Sequence, residues 1–167
     1  MGPAKPATTR RRDLFSVELG PAQFSGPVVG PADAYLTDCW TAILGPTQVL
    51  AYRRLHQVVG TTITGDDLAR SLGFSSLRSQ PRLDACLERL EQYLAISRSG
   101  QAIRVTPGLR YLTPDELKRA GPIVAGLHRA HLRSRQLEPE RMALLAREGA
   151  RAMRRPRTVV SLELGAS

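Results

Sequence analysis

The sequence has no phosphate-cradling GxxxxGK[ST] loop and no GxSxG elbow, so it offers no nucleotide-hydrolysis or acyl-transfer motif. Histidine is scarce. His128 and His131 stand i, i+3 on an expected helix, a geometry that can share a metal, but no nearby Cys or acid completes a ligand set, and His56 is isolated. The adjacent acids Asp66-Asp67 and Asp115-Glu116 open helices, where the helix dipole favours them without any catalytic role. Neither enzyme activity nor a cofactor or metal is therefore expected. Only two cysteines occur, Cys39 and Cys86, with no CxxC and no secretory leader, which points to a reduced cytoplasmic compartment rather than a disulfide framework. Charged residues interrupt every apolar stretch, so no membrane span is expected. Lysine is nearly absent: Lys5 and Lys118 are the only two.

The basic charge is thus carried by arginine, whose planar fork suits phosphate and guanine. In 167 residues, 24 Lys and Arg face 15 Asp and Glu, a net charge of +9 with a pI near 10.7, which favours a polyanionic partner. GC-rich coding would also enrich Arg, Ala, Gly and Pro, and for the arginine bias alone the two explanations weigh evenly. Residues 1–60 carry +2, residues 61–112 carry +2 and residues 113–167 carry +5.

Along the chain, residues 1–12 hold Pro, Ala, Thr and Arg10-Arg11-Arg12 and read as a flexible arm. Leu14 to Leu19 alternates like a strand, and Gly20 to Pro31 is a Pro/Gly-rich connector. Asp33 is placed to cap a helix from Ala34 to Leu44, and Gly45-Pro46 breaks it. A second helix follows from Thr47 to Val59. Trp40 and Tyr52 share faces with apolar neighbours and read as packing residues. Further on, Thr113-Pro114-Asp115-Glu116 has capping-box spacing, and Gly121-Pro122 interrupts the helix it opens. A helix from Pro122 to Leu137 is expected to turn Ile123, Val124, Leu127 and His131 to one side. Another starts at Glu138-Pro139-Glu140 and carries Met142, Leu145, Ala146 and Met153. Their apolar faces need cover, from the leading helices or from a second subunit. In the tail, Ser161-Leu162-Glu163-Leu164-Gly165 nearly repeats Ser16-Val17-Glu18-Leu19-Gly20. Two such strands can pair with each other or add to a partner's sheet edge, and a match this short also arises by chance.

The densest signal lies between Ile63 and Thr106. Asp66 to Leu72 has acids in its first turn and apolar residues four apart, with Gly73 just past its end. After a turn, Ser79 is placed as a cap and Pro81 in the first turn of a helix reaching Tyr93. Leu83, Leu87, Leu90 and Leu94 fall in one arc, edged by Cys86 and Tyr93, with Asp84, Glu88 and Glu91 as an acidic stripe on the other side. Opposite the core lie Arg78, Arg82, Ala85, Arg89 and Gln92. Arg can pair bidentately with guanine and Gln with adenine, while Ala allows close approach. Two alternating runs then flank Ser99-Gly100, a hairpin signal, with Arg98 and Arg104 beside the turn. Ile63 between threonines is a candidate third strand for the same sheet.

This order and these lengths resemble the winged helix-turn-helix family of DNA-binding domains. The resemblance implies a mainly α fold with a small β wing: a winged helix-turn-helix core followed by a C-terminal helical extension. Residues 1–32 would be the basic arm, strand and connector, 33–112 the DNA-binding domain, 113–153 a helical, dimerising extension, and 154–167 a basic tail with its strand. Ser79–Tyr93 would be the recognition helix and Leu94–Thr106 the wing. The implied DNA contacts are Arg70, Arg78, Ser79, Gln80, Arg82, Ala85, Arg89, Gln92, Arg98 and Arg104. The implied function is sequence-specific binding of double-stranded DNA by a homodimeric transcriptional regulator. Two alternatives stay open: a plasmid or phage replication or partition factor binding repeated sites, and a winged helix used purely for protein docking.

Overall fold

Alternating apolar and polar side chains produce β1 (Leu14–Leu19), β2 (Thr62–Thr64), β3 (Ile96–Ser99) and β4 (Ala102–Val105), which form one sheet in the order β2-β1-β4-β3. The computed structural model describes residues 14–74 and 79–154; the arginine arm, Arg78 and the strand expected in the tail lie outside them. Val17, Ile96, Ile103 and Val105 are buried against the helices, while Glu18 and Arg104 face solvent, as alternation on a half-covered sheet requires.

The sheet has one strand more than the three expected of the hairpin and Ile63. β1 runs antiparallel to β2, with Phe15 opposite Ile63, and parallel to β4, with Val17 opposite Ile103. It therefore separates β2 from the hairpin. The physical reason is length: β2 has three residues and buries none of them fully, whereas β1 aligns six residues and sinks Val17 into the core. On one edge of β1 Leu14–Ser16 pair with β2, and on the other Ser16–Leu19 pair with β4; the near-repeat in the tail lies outside the described residues. The β3–β4 turn also differs by one residue from the expected Ser99-Gly100. Ser99 pairs with Ala102, leaving Gly100 and Gln101 at the tip, and Gly100 takes the positive φ of 56°.

A wide π-helical turn (Leu36–Trp40) runs into α1 (Thr41–Leu44), with Asp33 accepting from the Tyr35 N–H at 2.9 Å, and Gly45 at φ 101° ends α1. Next come α2 (Pro46–Gln57), α3 (Gly65–Ser71) and α4 (Ser79–Gln92). Thr64 caps α3 by accepting from the Asp67 N–H at 3.0 Å. Gly73, at φ 77°, donates to Arg70 while Phe74 donates to Ala69, a Schellman closure that the glycine permits. The core face of α4 is Leu83, Cys86, Leu87 and Leu90, and burial pushes the Cys86 thiol up to about 11, so it serves as a small apolar residue.

α5 (Pro114–Ala120), α6 (Pro122–Ser134) and α7 (Pro139–Arg154) complete the described residues. The Thr113 capping box is complete, with Thr113 accepting from the Glu116 N–H and Glu116 from the Thr113 N–H. α6 is rotated relative to expectation: His128 and Leu132 are buried, whereas Ile123 is 79% exposed and Leu127 is exposed too. α7 buries Met142, Ala146 and Gly149 on its own chain, and Leu145 packs beside Gly26 of the connector. The connector itself is held down by Phe24, Val29 and a two-bond bridge between Val29 and Leu109. No described helix is long and apolar enough to cross a membrane.

At the junction of these helices Arg110 and Glu116 form a bidentate pair, with both distances 2.7 Å and side chains only 3% and 6% exposed. Replacing Glu116 by Gln should cost about 3–5 kcal/mol, because the Arg110 guanidinium would stay buried without a counter-charge. Gly149→Ala should also destabilise, by about 1–2 kcal/mol, since its Cβ would meet Arg110 Cδ at 2.8 Å and Phe24 at 3.0 Å, where neither side chain is free to yield. Gly126→Ala in α6 meets nothing within 4 Å and should instead stabilise by about 0.5–1 kcal/mol. Urea unfolding of the three variants checks the signs.

Candidate nucleic-acid interface

α3, the glycine turn, α4 and the β3–β4 hairpin follow one another and leave one long side of α4 uncovered. Gln80, Arg82, Ala85, Glu88 and Gln92 are exposed there. Arg82 makes no hydrogen bond or ion pair among the described residues, and Ala85 leaves the middle of the row low. Gln80 donates to Asp84 at 3.2 Å, a surface contact that is easily exchanged.

The other expected contacts behave differently. Ser79 is buried at the start of α4 and presents no hydroxyl to an outer surface. Arg89 turns inward: its Nη2 donates to the Ile43 carbonyl at 2.9 Å, near the end of α1, and its guanidinium lies 5.1 Å from the Tyr93 ring centre. Helix-wheel position put Arg89 with Arg82, but an uncapped helix end and an aromatic face within reach drew it away. Arg98 is clasped by Glu91, which accepts from its backbone N–H, Nε and Nη2 at 2.8–3.0 Å. That clasp removes Glu91 from the acidic stripe and leaves Asp84 and Glu88 as its remaining members. Arg104 reaches Glu18 on the neighbouring strand at 3.3 Å, and Arg70 reaches Asp67 at 3.2 Å; both pairs are largely solvated and worth little. Arg78 lies outside the described residues.

Unpaired positive charge is concentrated elsewhere. Lys118, Arg119, Arg129, Arg133, Arg141, Arg147 and Arg151, on α5, α6 and α7, are exposed and make no hydrogen bond or ion pair among the described residues. The sequence signalled this only as the +5 of its last third. Arg119, Arg147 and Arg151 share a cleft of about 610 Å3 with Gln92 and Tyr93 at the end of α4.

Between the π-helical turn and α6 lies a polar network that sequence reading did not find. The Tyr35 hydroxyl accepts from the Leu112 N–H at 3.1 Å and shares a hydrogen bond of 2.6 Å with His128 Nδ1. His131 bonds Asp38 at 2.7 Å, and Arg135 donates to Asp33 and to the Tyr111 hydroxyl, both at 2.6 Å. The two histidines that spacing offered as a metal pair are thus engaged by separate partners. Among the described residues no three His, Cys, Asp or Glu side chains are grouped as metal ligands. His56 bonds the Thr106 carbonyl, which also accepts from Tyr52. No family model, curated protein or solved structure matches the chain, so the roles of these residues follow from its own geometry.

Burial, reinforced by the charges of Arg129 and His131, pushes His128 down to about 4, and burial lowers His56 as well against the opposing pull of the Thr106 carbonyl. A histidine lowered in the folded state takes up its proton more readily when unfolded. Stability is therefore fully present above about pH 6.5 and is lost as pH falls toward 4, by up to about 3 kcal/mol from His128. Asp33 and Glu116 work at a lower pH: burial alone would raise both carboxyls, but Arg135 and the Tyr35 N–H outweigh it for Asp33, and Arg110 and Thr113 for Glu116. Their contribution goes only as pH falls below about 4.5. Thermal midpoints measured from pH 7.5 to 5 should fall steeply for the native chain and more gently for His128→Gln.

Proposed function

We propose that this chain is a sequence-specific double-stranded-DNA-binding protein, a regulator of the winged helix-turn-helix type, that lays the outer side of α4 in a major groove. The observation that carries the reading is the uncovered row Gln80, Arg82, Ala85 and Gln92 on a helix whose other side is locked in the core. A major groove about 12 Å wide admits such a helix, and Arg and Gln match the hydrogen-bonding edges of guanine and adenine. The net charge of +9 supplies the attraction to the backbone.

Phosphate contacts divide by what each arginine would have to give up. Arg104 can leave its solvated pair with Glu18 at little cost, so it is free to meet a phosphate beside the hairpin. Arg98 cannot do so cheaply, because two charged donors would leave Glu91 at a half-buried site. Two copies on paired half-sites extend the reading. Ile123, Leu127 and Leu144 are exposed apolar side chains of α6 and α7 from which contact between copies can be built. Sedimentation equilibrium of the full chain tests that part, and a monomer at concentrations far above its DNA affinity would remove it.

The main test is fluorescence anisotropy with duplexes selected from genomic fragments. Arg82→Ala should cost about 1–3 kcal/mol of specific binding and relax the preference at one base pair. Arg98→Ala should leave the slope of log K against log salt unchanged and instead lower the unfolding midpoint, whereas Arg104→Ala should flatten that slope by about 0.9. Equal affinity and equal preference in native and Arg82→Ala protein would sink the assignment of α4.

A further inference from the structure

The cleft between the end of α4, the start of α5 and the middle of α7 holds more positive charge than its own residues balance. Arg119, Arg147 and Arg151 line it with no ion pair to any described residue. Two acids are present, but Glu116 has both carboxylate oxygens engaged, by Arg110 and by the Thr113 N–H. Asp115 remains as the single free acid against three guanidinium groups. Converging like charges repel, and an arrangement of this kind is relieved by a bound anion carrying at least two charges. The shape fits that role. A concave site of about 610 Å3 lies within the range for small-ligand sites, and it is walled by Tyr93 and Gln92 on one side and Ala150 on the other.

We infer that this cleft is a phosphate-binding site, in which Arg119 on α5 and Arg147 and Arg151 on α7 clamp a phosphate or diphosphate group, with Asp115 placed to accept from a hydroxyl or amine of the same ligand. Arginine favours phosphate over a compact anion because its fork donates two parallel bonds to adjacent oxygens. Residues four apart on a helix share a face, so Arg147 and Arg151 present their forks side by side. Two sources can supply this chemistry: a small phosphorylated molecule, or the backbone of a duplex already held by α4. The inference does not depend on α4 reading base pairs, since none of the three arginines lies on that helix.

Calorimetric titration of the full chain with inorganic pyrophosphate, at low salt and against equimolar sulfate as control, tests it. One pyrophosphate per chain should bind, and Arg147→Ala and Arg151→Ala should each weaken binding by tenfold or more. Arg133→Ala, an equally exposed and unpaired arginine on α6 outside the cleft, should leave it unchanged. All three side chains are solvent-exposed, so unchanged melting curves should accompany the losses. If pyrophosphate competes with duplex DNA, and Arg147→Ala lowers the salt slope for DNA by about 0.9, the phosphate belongs to the duplex backbone. If pyrophosphate and DNA bind together, the cleft takes a separate phosphorylated molecule. Either result supports the site. Absence of pyrophosphate binding, or an equal loss in Arg133→Ala, overturns it. Arg82→Ala separates this from the DNA reading, because it should impair base recognition while leaving pyrophosphate binding intact.

Discussion

Arg110 and Glu116, six residues apart, form the buried ion pair around which Trp40, the start of α5 and Gly149 of α7 meet. The guanidinium takes both carboxylate oxygens of Glu116 and donates to the Tyr111 carbonyl, while its own backbone carbonyl accepts from Trp40 Nε1 at 2.9 Å. Glu116 in turn closes the capping box of α5, so one carboxylate both balances a buried cation and starts a helix. α7 crosses above at Gly149, the one residue small enough to lie against Arg110 Cδ and the Phe24 ring together. A buried ion pair is weak evidence for net stability, because desolvating the charges offsets their attraction. Its value here is geometric: a bidentate pair has one good arrangement, and that arrangement sets where α5 and α7 stand relative to the π-helical turn. Among the described residues Arg110 Nε has no hydrogen-bond partner, a local cost borne by the same arrangement.

The pair also explains how the chain's charges are sorted. Several arginines in the middle of the sequence are consumed within the fold: Arg53 on backbone carbonyls of Pro31 and Asp33, Arg89 on Ile43, Arg98 on Glu91, and Arg110 on Glu116. A net charge counted along the chain cannot distinguish these from free charges. Among the described residues, the cations without a hydrogen bond or ion pair lie on the solvent sides of α5, α6 and α7, together with Arg82 on α4. A basic composition thus speaks only to a class of partner, while burial and pairing decide which residues could touch one.

Local chemistry was the legible part of this sequence. Helix boundaries followed residues whose effect is confined to one turn: Gly45-Pro46, Gly73, the Thr113 capping box and Gly121-Pro122 all act where their spacing says they act. The leucine arc of α4 was equally plain, because 3.6-residue periodicity is a property of the helix alone. What stayed hidden required a partner distant in sequence. Nothing local marks Arg110 as buried, or says that Tyr35 will meet His128, which is 93 residues away. The position of β1 was hidden for the same reason, since alternation identifies a strand but not its neighbours. The face of α6 was misjudged because Ile123, Leu127 and His131 are as regularly spaced as Val124, His128 and Leu132. The core contacts of Leu132 and Val124 and the bond between Tyr35 and His128 go with the second set.

Arg89 connects these two kinds of information. Its guanidinium stacks on Tyr93, Tyr93 meets Trp40 edge-on at 5.7 Å, and the Trp40 ring lies 5.3 Å from the guanidinium of Arg110. The outer helix is thus joined to the α5 cap through two aromatic rings held between two cations, each contact worth about 0.5–2 kcal/mol where water is excluded. Tyr93 is half-buried in that stack and also lines the arginine cleft. A group bound in the cleft would therefore press on the ring that helps to fix the end of α4, and a displacement of α4 would move one wall of the cleft. Reciprocity of coupling makes these two statements the same free energy. The stack is a physical route for such coupling, and its size depends on whether Tyr93 has a second well-packed position when Arg89 releases Ile43.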